Sequence, residues 1–440
     1  MAERARCFAE SRPPSTSDLH QGRHHLRAVA AACALAAVTA VVPAGSARAA
    51  GTPPTGASRP TAQAVCPEGI APPPPEDSSE QPEPGQPDPP PVPVPPSPVG
   101  GPEMGACGLV LPPGAPPPPE QVQVAGWTLA DLDSGAVLAA RGPHVRERPA
   151  STIKVLTALL AIRELKMSDT IVGTQQDADQ EGSKVGIEPG QTYTVQQVLT
   201  GMLLRSGNDA AHALAARLGG DQATTAKMTE LAHRLGARDT RIATPSGLDG
   251  PGMSTSAYDL AVIFREAMRH PEFARAVATP RMTLPAKPGQ PPTEITNENK
   301  VLREYPGALG GKSGFTTDAR HTFIAAAQRG NRRLVAVLVR GENKPPNYQH
   351  RQAMRLLDYG FDLPPGQPVG QLAEQPPPPP PAPRADATTP ASSSASDGGG
   401  FGAVAAPLGI VVVAAGAVAI VLVQRRRRAR AASEPSDEHP

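Results

Sequence analysis

Three short groups of residues carry side chains suited to acyl transfer. Ser151 and Lys154 stand three apart at the head of an apolar run, so on a helix they share one face about a turn apart. A serine hydroxyl is a poor nucleophile until a base takes its proton, and a lysine can be that base if burial and a second cation lower its pKa. Lys312 is the candidate second cation. Ser206-Gly207-Asn208 begins 55 residues after Ser151, and Lys312-Ser313-Gly314 begins 106 residues after Ser206. Ser206 can then relay a proton from Lys154 to a leaving amine. Asn208 can orient Lys154 and hold a substrate amide, and Lys312 with Ser313 can bind a substrate carboxylate. The backbone N–H groups of Ser151 and Phe315 are the candidate pair for a developing oxyanion. Gly314 lets a substrate backbone approach and pair with its strand. Alone, each group has a blander reading: an N-cap serine with a snorkelling lysine, a turn, a loop. Their order and spacing together point to chemistry.

The surrounding pattern supplies elements that can position them. Ile153, Val155, Leu156, Ala158, Leu159, Leu160 and Ile162 occupy too many angles for a surface helix, so the segment Thr152 to Leu165 is predicted to be a buried central helix. Further helices are predicted from Val195 to Leu204, behind a Thr194-x-x-Gln197 capping box, then from Asp209 to Leu218, Ala223 to Leu235 and Ser256 to Arg269. The segment from Val122 to Ala139 reads as a hairpin turning at Asp133-Ser134-Gly135. The segments after His321 and from Leu334 read as two strands joined at Gly330-Asn331, with a last helix around Gln349 to Tyr359. Strands at both ends with helices between predict an α+β domain: one antiparallel sheet built from the two termini, with a helical block packed on it.

The triple set S-x-x-K, S-x-N, K-[TS]-G is that of the penicillin-recognising serine enzymes. The stretches Pro149-Ala-Ser-Thr-Ile-Lys-Val-Leu-Thr-Ala-Leu-Leu, Leu204-Arg-Ser-Gly-Asn-Asp-Ala-Ala, Thr244-Pro-Ser-Gly-Leu-Asp and Gly310-Gly-Lys-Ser-Gly-Phe-Thr closely resemble the low-molecular-mass D-alanyl-D-alanine carboxypeptidases, serine peptidase family S11. The resemblance covers about residues 121 to 360. It implies a penicillin-binding, serine β-lactamase-like fold and an acyl-enzyme at Ser151. It also implies release of the terminal D-alanine from peptidoglycan stem pentapeptides, and acylation by β-lactams. The same resemblance leaves a transpeptidase or endopeptidase as alternatives, and a non-catalytic wall-binding scaffold as a third. Ser313 stands where threonine is commoner, which keeps the hydroxyl. Many members carry a β-rich second domain after the catalytic one, whereas here a Pro-rich stretch follows. Members hold the substrate's terminal carboxylate with an arginine shortly before the last helix; Arg340 and Arg351 both lie in that region, and the sequence does not choose between them. No E-x-x-L-N follows the second motif, which disfavours ready hydrolysis of penicillin. His212, His233, His270 and His321 have no spacing that ties them to Ser151, so no histidine base is expected.

Composition bounds the rest. With 56 Pro and 42 Gly in 440 residues, much of the chain is not core, while the 39% apolar share requires at least one packed domain. A balance of 42 basic against 41 acidic residues gives no reason to expect nucleic acid as a partner. Arg23-His24-His25-Leu26-Arg27, the apolar run from Ala28 to Val42 and Ala47-Arg48-Ala49 form the order of an export signal, with cleavage after Ala49. A Pro-rich disordered segment is expected over 50–120, with 21 Pro between Ala71 and Glu120, and the catalytic domain over 121–361. A Pro/Ser/Gly-rich linker is expected over 362–400. The uncharged stretch 401–423 is long enough to cross a bilayer, and the arginine-rich tail 424–440 behind it predicts a cytoplasmic end. The expected protein is thus anchored by a single C-terminal transmembrane helix, with its catalytic domain on the cell-wall side. Cys7 and Cys33 leave with the signal, and Cys66 and Cys107 remain as an even pair whose bonding the sequence leaves open. Neither C-x-x-C nor a clustered His/Cys set is present, so no metal or cofactor is expected.

Overall fold

A computed structural model describes residues 66–374, apart from 286–288, 290 and 365. The export signal, most of the second linker, the 401–423 segment and the tail lie outside the described residues. In chain order the strands are β1 (Leu109–Val110), β2 (Val124–Asp131), β3 (Ala136–Arg141), β4 (Thr170–Val172), β5 (Thr192–Thr194), β6 (Arg281–Leu284), β7 (Thr293–Thr296), β8 (Ala308–Thr316), β9 (Arg320–Arg329), β10 (Arg332–Gly341) and β11 (Gly370–Gln371). The helices are α1 (Lys154–Glu164), α2 (Gln175–Ala178), α3 (Val195–Arg205), α4 (Asn208–Arg217), α5 (Asp221–Arg234), α6 (Ala257–Met268), α7 (Pro271–Ala278), α8 (Val301–Glu304) and α9 (Gln349–Asp362).

The main sheet is antiparallel with strand order β1-β3-β2-β10-β9-β8, and β11 pairs with the other half of β3. It joins both ends of the domain, as the sequence predicts. Side chains alternate across the pleat. On β10, Leu334, Ala336 and Leu338 face α9 with Trp127 and Leu357, whereas Val335, Val337 and Val339 face the helical block. Each such buried Val or Leu contributes roughly 1.5–3 kcal/mol, so this alternation fixes the register. Helix α1 runs through the block with every residue from Lys154 to Ala161 buried. The capping box at Thr194 and Gln197 is formed, and α7 is a helix that the pattern did not announce, opened by Pro271 at its first turn.

The Pro-rich segment departs from expectation. From Cys66 onward it is laid against the domain as a strap and is not a disordered spacer. Prolines cannot donate to a ladder, but carbonyls along such a segment accept, and arginines of the domain reach them. Arg146 Nη1 donates to the carbonyls of Ile70 (2.7 Å) and Val92 (2.5 Å), and its Nη2 to that of Pro93 (3.0 Å). Arg148 Nη1 donates to the Pro73 carbonyl at 2.8 Å, and Arg241 to that of Pro90. Cys66 and Cys107 are bonded to each other. The far boundary moves too: β11 pairs with β3, Leu372 is fully buried, and Arg265 pairs with Glu374 at 2.8 Å, so the domain continues past residue 361. Among the described residues, no helix is long and apolar enough to cross a membrane.

Candidate active site

Ser151 lies in a 3₁₀ turn, Ala150–Ile153, that runs directly into α1, and Lys154 is the first residue of that helix. Lys154 is fully buried. Its Nζ stands 3.0 Å from Ser151 Oγ, 2.7 Å from Asn208 Oδ1 and 2.5 Å from the Ser246 carbonyl. Two of these three oxygens can only accept. A neutral amine has two N–H groups and one lone pair; with the N–H groups given to Asn208 and Ser246, the lone pair is left for the Ser151 hydroxyl. Burial, reinforced by the Lys312 cation, holds Lys154 well below the ordinary lysine range, and Asp209 opposes this only in part.

Ser206 closes α3 in the left-handed conformation (φ 59°), and Asn208 opens α4 one residue beyond Gly207. A Cβ at Gly207 would stand 2.3 Å from Val185 Cγ2, so this sharp break requires glycine. Asn208 is itself held, its Nδ2 donating to the Glu181 carbonyl at 2.6 Å. Neighbouring Asp209, fully buried, accepts from the backbone N–H groups of Val185, Gly186 and Ile187. It thereby fastens the loop 183–187 over the second motif.

Strand β8 brings the third group. Lys312 is buried, and its Nζ donates to Ser206 Oγ at 2.9 Å and to the Ser313 carbonyl at 2.6 Å. Burial pulls it down to about 7, against the opposing pull of Glu298. Among the described residues, strand β8 is the end strand of the sheet, with one edge paired to β9 and the other paired to no strand. A Cβ on Gly314 would lie 2.8 Å from the Ser151 backbone N and 2.5 Å from Thr322 Oγ1, so the strand passes against the nucleophile's turn only because this residue has no side chain. Phe315 follows, 55% exposed, its ring centroid 4.5 Å from that of His321 and tilted by 36°. A cleft of about 180 Å³ adjoins Ser313 and Gly314, with Lys300, His321 and Tyr348 on its walls.

Two hydrogen-bonded groups, Ser151–Lys154–Asn208 and Lys312–Ser206, thus lie close enough for the Lys312 charge to act on Lys154, with Ser313, Gly314 and Phe315 on the strand that carries Lys312. The Ser246 carbonyl and Asp209 are site groups that motif reading did not single out. Of the two arginines considered for the substrate carboxylate, Arg340 donates to the Asp318 carbonyl at 2.9 Å, and Arg351 lies over the Tyr348 ring at 5.6 Å. His321 lines the cleft beside Gly314, and the other three histidines have partners other than Ser151. His212 bonds Asp177 at 2.5 Å, His233 bonds the Thr240 carbonyl at 3.0 Å, and His270 lies 3.9 Å from Glu266.

Comparison with known proteins agrees with this geometry. Residues 114–343 match the family model described as D-alanyl-D-alanine carboxypeptidase, Peptidase_S11. D-alanyl-D-alanine carboxypeptidase DacB2 of Mycobacterium tuberculosis is 50% identical over 250 residues, which is 56% of this chain and 85% of that protein. DacF of Bacillus subtilis is 32% identical over 239 residues, 53% of this chain and 61% of its own length. A crystal structure of a D-alanyl-D-alanine carboxypeptidase from Mycobacterium tuberculosis superposes with a TM-score of 0.58 at 47% identity, over 60% of this chain and all of that one. A variant of the Streptomyces K15 DD-transpeptidase gives a TM-score of 0.52 at 26% identity, over 55% of this chain and 98% of its own. On this match to more than half its length, the chain belongs to the D-alanyl-D-alanine carboxypeptidases of serine peptidase family S11.

Proposed function

We propose that this protein is a serine D-Ala-D-Ala carboxypeptidase that removes the terminal D-alanine from peptidoglycan stem pentapeptides and is acylated by β-lactams. The observation that carries the reading is the 3.0 Å contact between Ser151 Oγ and Nζ of the fully buried Lys154. Lys154 takes the hydroxyl proton as Ser151 Oγ bonds to the carbonyl carbon of the penultimate D-alanine. The electron pair of the C=O moves onto oxygen, where the N–H groups of Ser151 and Phe315 stabilise it. As the C–N bond breaks, the proton passes from Lys154 by way of Ser206 to the leaving amine, and an ester remains on Ser151. Water then attacks that ester and gives its proton to Lys154, which passes it to Ser151 Oγ as the ester C–O bond breaks and the shortened peptide leaves. Asn208 and the unpaired edge of β8 hold the substrate backbone, and Lys312 with Ser313 binds its carboxylate.

The full chain should be labelled by a fluorescent penicillin and should release free D-alanine from a peptide ending in D-Ala-D-Ala. Ser151→Ala should abolish both. Absence of labelling in the unmutated chain would leave a wall-binding scaffold instead, and cross-linked dimer in place of free D-alanine would mark a transpeptidase.

The protein is exported and held by the span 401–423, with its catalytic domain on the wall side and the tail 424–440 in the cytoplasm. The sequence signals support this, and the Cys66–Cys107 bond fits an oxidising compartment. Protease added to intact wall-stripped cells should degrade the domain and spare an epitope placed on the tail; the reverse pattern would overturn this topology.

A further inference from the structure

The strap lies outside the residues matched by the family model up to Pro113, yet its stretch Glu76 to Glu80 touches the segments that lead into Ser151 and out of Phe315. Arg148, three residues before the nucleophile and 2% exposed, is gripped by Glu80 of the strap through two parallel hydrogen bonds, one of them from Nη2 to Oε2 at 2.7 Å. On the opposite side, the β8–β9 turn presents Asp318, 1% exposed, whose carboxylate accepts from the Glu76 backbone N–H at 2.5 Å and from the Ser79 hydroxyl at 3.4 Å. Arg320 in the same turn pairs with Glu76 at 2.5 Å. One short stretch of strap, Glu76 to Glu80, therefore ties together the segment entering Ser151 and the turn leaving Phe315.

Those two segments are strained. Among the described residues, four that are not glycine have positive φ: Ala150 (46°), Ser206 (59°), Arg320 (55°) and Arg340 (50°). Ala150 immediately precedes the nucleophile, and Arg320 and Arg340 belong to the network around Asp318, where Arg340 also lies 3.7 Å from Glu147. Such conformations persist only where the surroundings over-determine them. The strap supplies contacts on both flanks, and loss of Glu80 would remove the hydrogen-bonded carboxylate from a buried guanidinium, leaving it only the more distant charges of Asp318 and Asp249.

We propose that the strap is a positioning element of the acylation site: Glu80, through Arg148, and the Glu76–Ser79 turn, through Asp318, fix the two backbone donors that receive the oxyanion. Glu80 is a positioning residue and touches no substrate. The proposal rests on Ser151 being the acylated residue.

The test uses the full chain in detergent, with two separate readouts: the rate of acylation by a fluorescent penicillin, and kcat and KM for D-alanine release. Glu80→Gln should lower the acylation rate by about tenfold or more through kcat, with KM within about twofold and final labelling still stoichiometric. Glu80→Asp, which keeps the charge, should recover part of the loss. Asp318→Ala should produce the same kcat-weighted loss from the other flank, and it decides the matter alone if Glu80→Gln does not fold. Acylation within about twofold of the unmutated rate in every folded variant would overturn the proposal, whatever happened to thermal stability. An unmutated chain that is acylated but releases no D-alanine would instead remove the carboxypeptidase reading, leaving the strap to be judged on acylation.

Discussion

At the scale of single residues, the site is a division of labour between two buried lysines. Lys154 gives up its proton first, under burial and the Lys312 cation, and a neutral Lys154 then leaves Lys312 as the one charge of the pair. Acylation should rise with pH as Lys154 deprotonates and fall as Lys312, pulled down to about 7, loses its charge. In Lys312→Arg the second group cannot titrate in this range, so the alkaline limb should move up by at least about two pH units, even at a lower plateau. An unmoved limb would assign it to another group. Lys154→Arg should abolish acylation, since a guanidinium cannot serve as the base, and an unchanged acylation rate would place the base elsewhere. The types and spacing of Ser151, Lys154, Ser206, Asn208 and Lys312 were legible because such chemistry needs particular side chains. The Ser246 carbonyl was not, because a backbone oxygen has no residue type to read. Asp209 was hidden for a related reason: its three partners are backbone N–H groups of residues 185–187, which no spacing rule ties to it.

At the scale of elements, periodicity and capping are local signals, and they located α1, α3 and the central hairpins to within a residue or two. The run from Ile153 to Ile162 marked a helix buried on all sides, and the Thr194–Gln197 box marked a start that the structure forms. The strap was misread because proline density excludes helices and ladders but says nothing about docking. Its anchors, Arg146, Arg148 and Arg241, are distant in sequence and recognise carbonyls that every residue carries. A run of charged residues, Arg146-Glu147-Arg148, buried just before a nucleophile was the available hint. Close passage of β8 past the nucleophile's turn depends on Gly314, whose missing Cβ would meet Ser151 N at 2.8 Å and Thr322 Oγ1 at 2.5 Å. Gly314→Ala must push the strand outward, and a displacement of this kind should lower acylation by about a hundredfold. Circular dichroism and the melting transition should change little, because only one end of an edge strand moves. Acylation at the unmutated rate would mean that the strand and turn can separate without cost to the reaction.

At the scale of the whole molecule, the strap and the domain form one folded unit joined by unequal kinds of contact. The sheet and helical block hold one another by apolar burial on both faces of the sheet, whereas the first part of the strap is held by arginine-to-carbonyl bonds, the Glu76 and Glu80 ion pairs and a covalent closure, and its last part adds Met104 and Val110 to the core. The Cys66–Cys107 bond spans 41 residues, and closing a loop of that size removes roughly 4 kcal/mol of chain entropy from the detached state. Reduction should therefore shift the equilibrium toward local detachment of the first part of the strap without reaching the core, since from Glu68 to Pro98 Val92 is the single buried apolar side chain, whereas Met104 belongs to the core. A glutamate-specific protease is a suitable probe, because Glu76, Glu80 and Glu83 all lie between the two cysteines. With reductant present, cleavage there should accelerate by about a hundredfold or more while the remainder of the domain stays resistant and melts at nearly the same temperature. Equal resistance in the oxidised and reduced chains would show that the side-chain anchors hold the strap unaided. Collapse of the whole domain on reduction would show instead that strap and core unfold together.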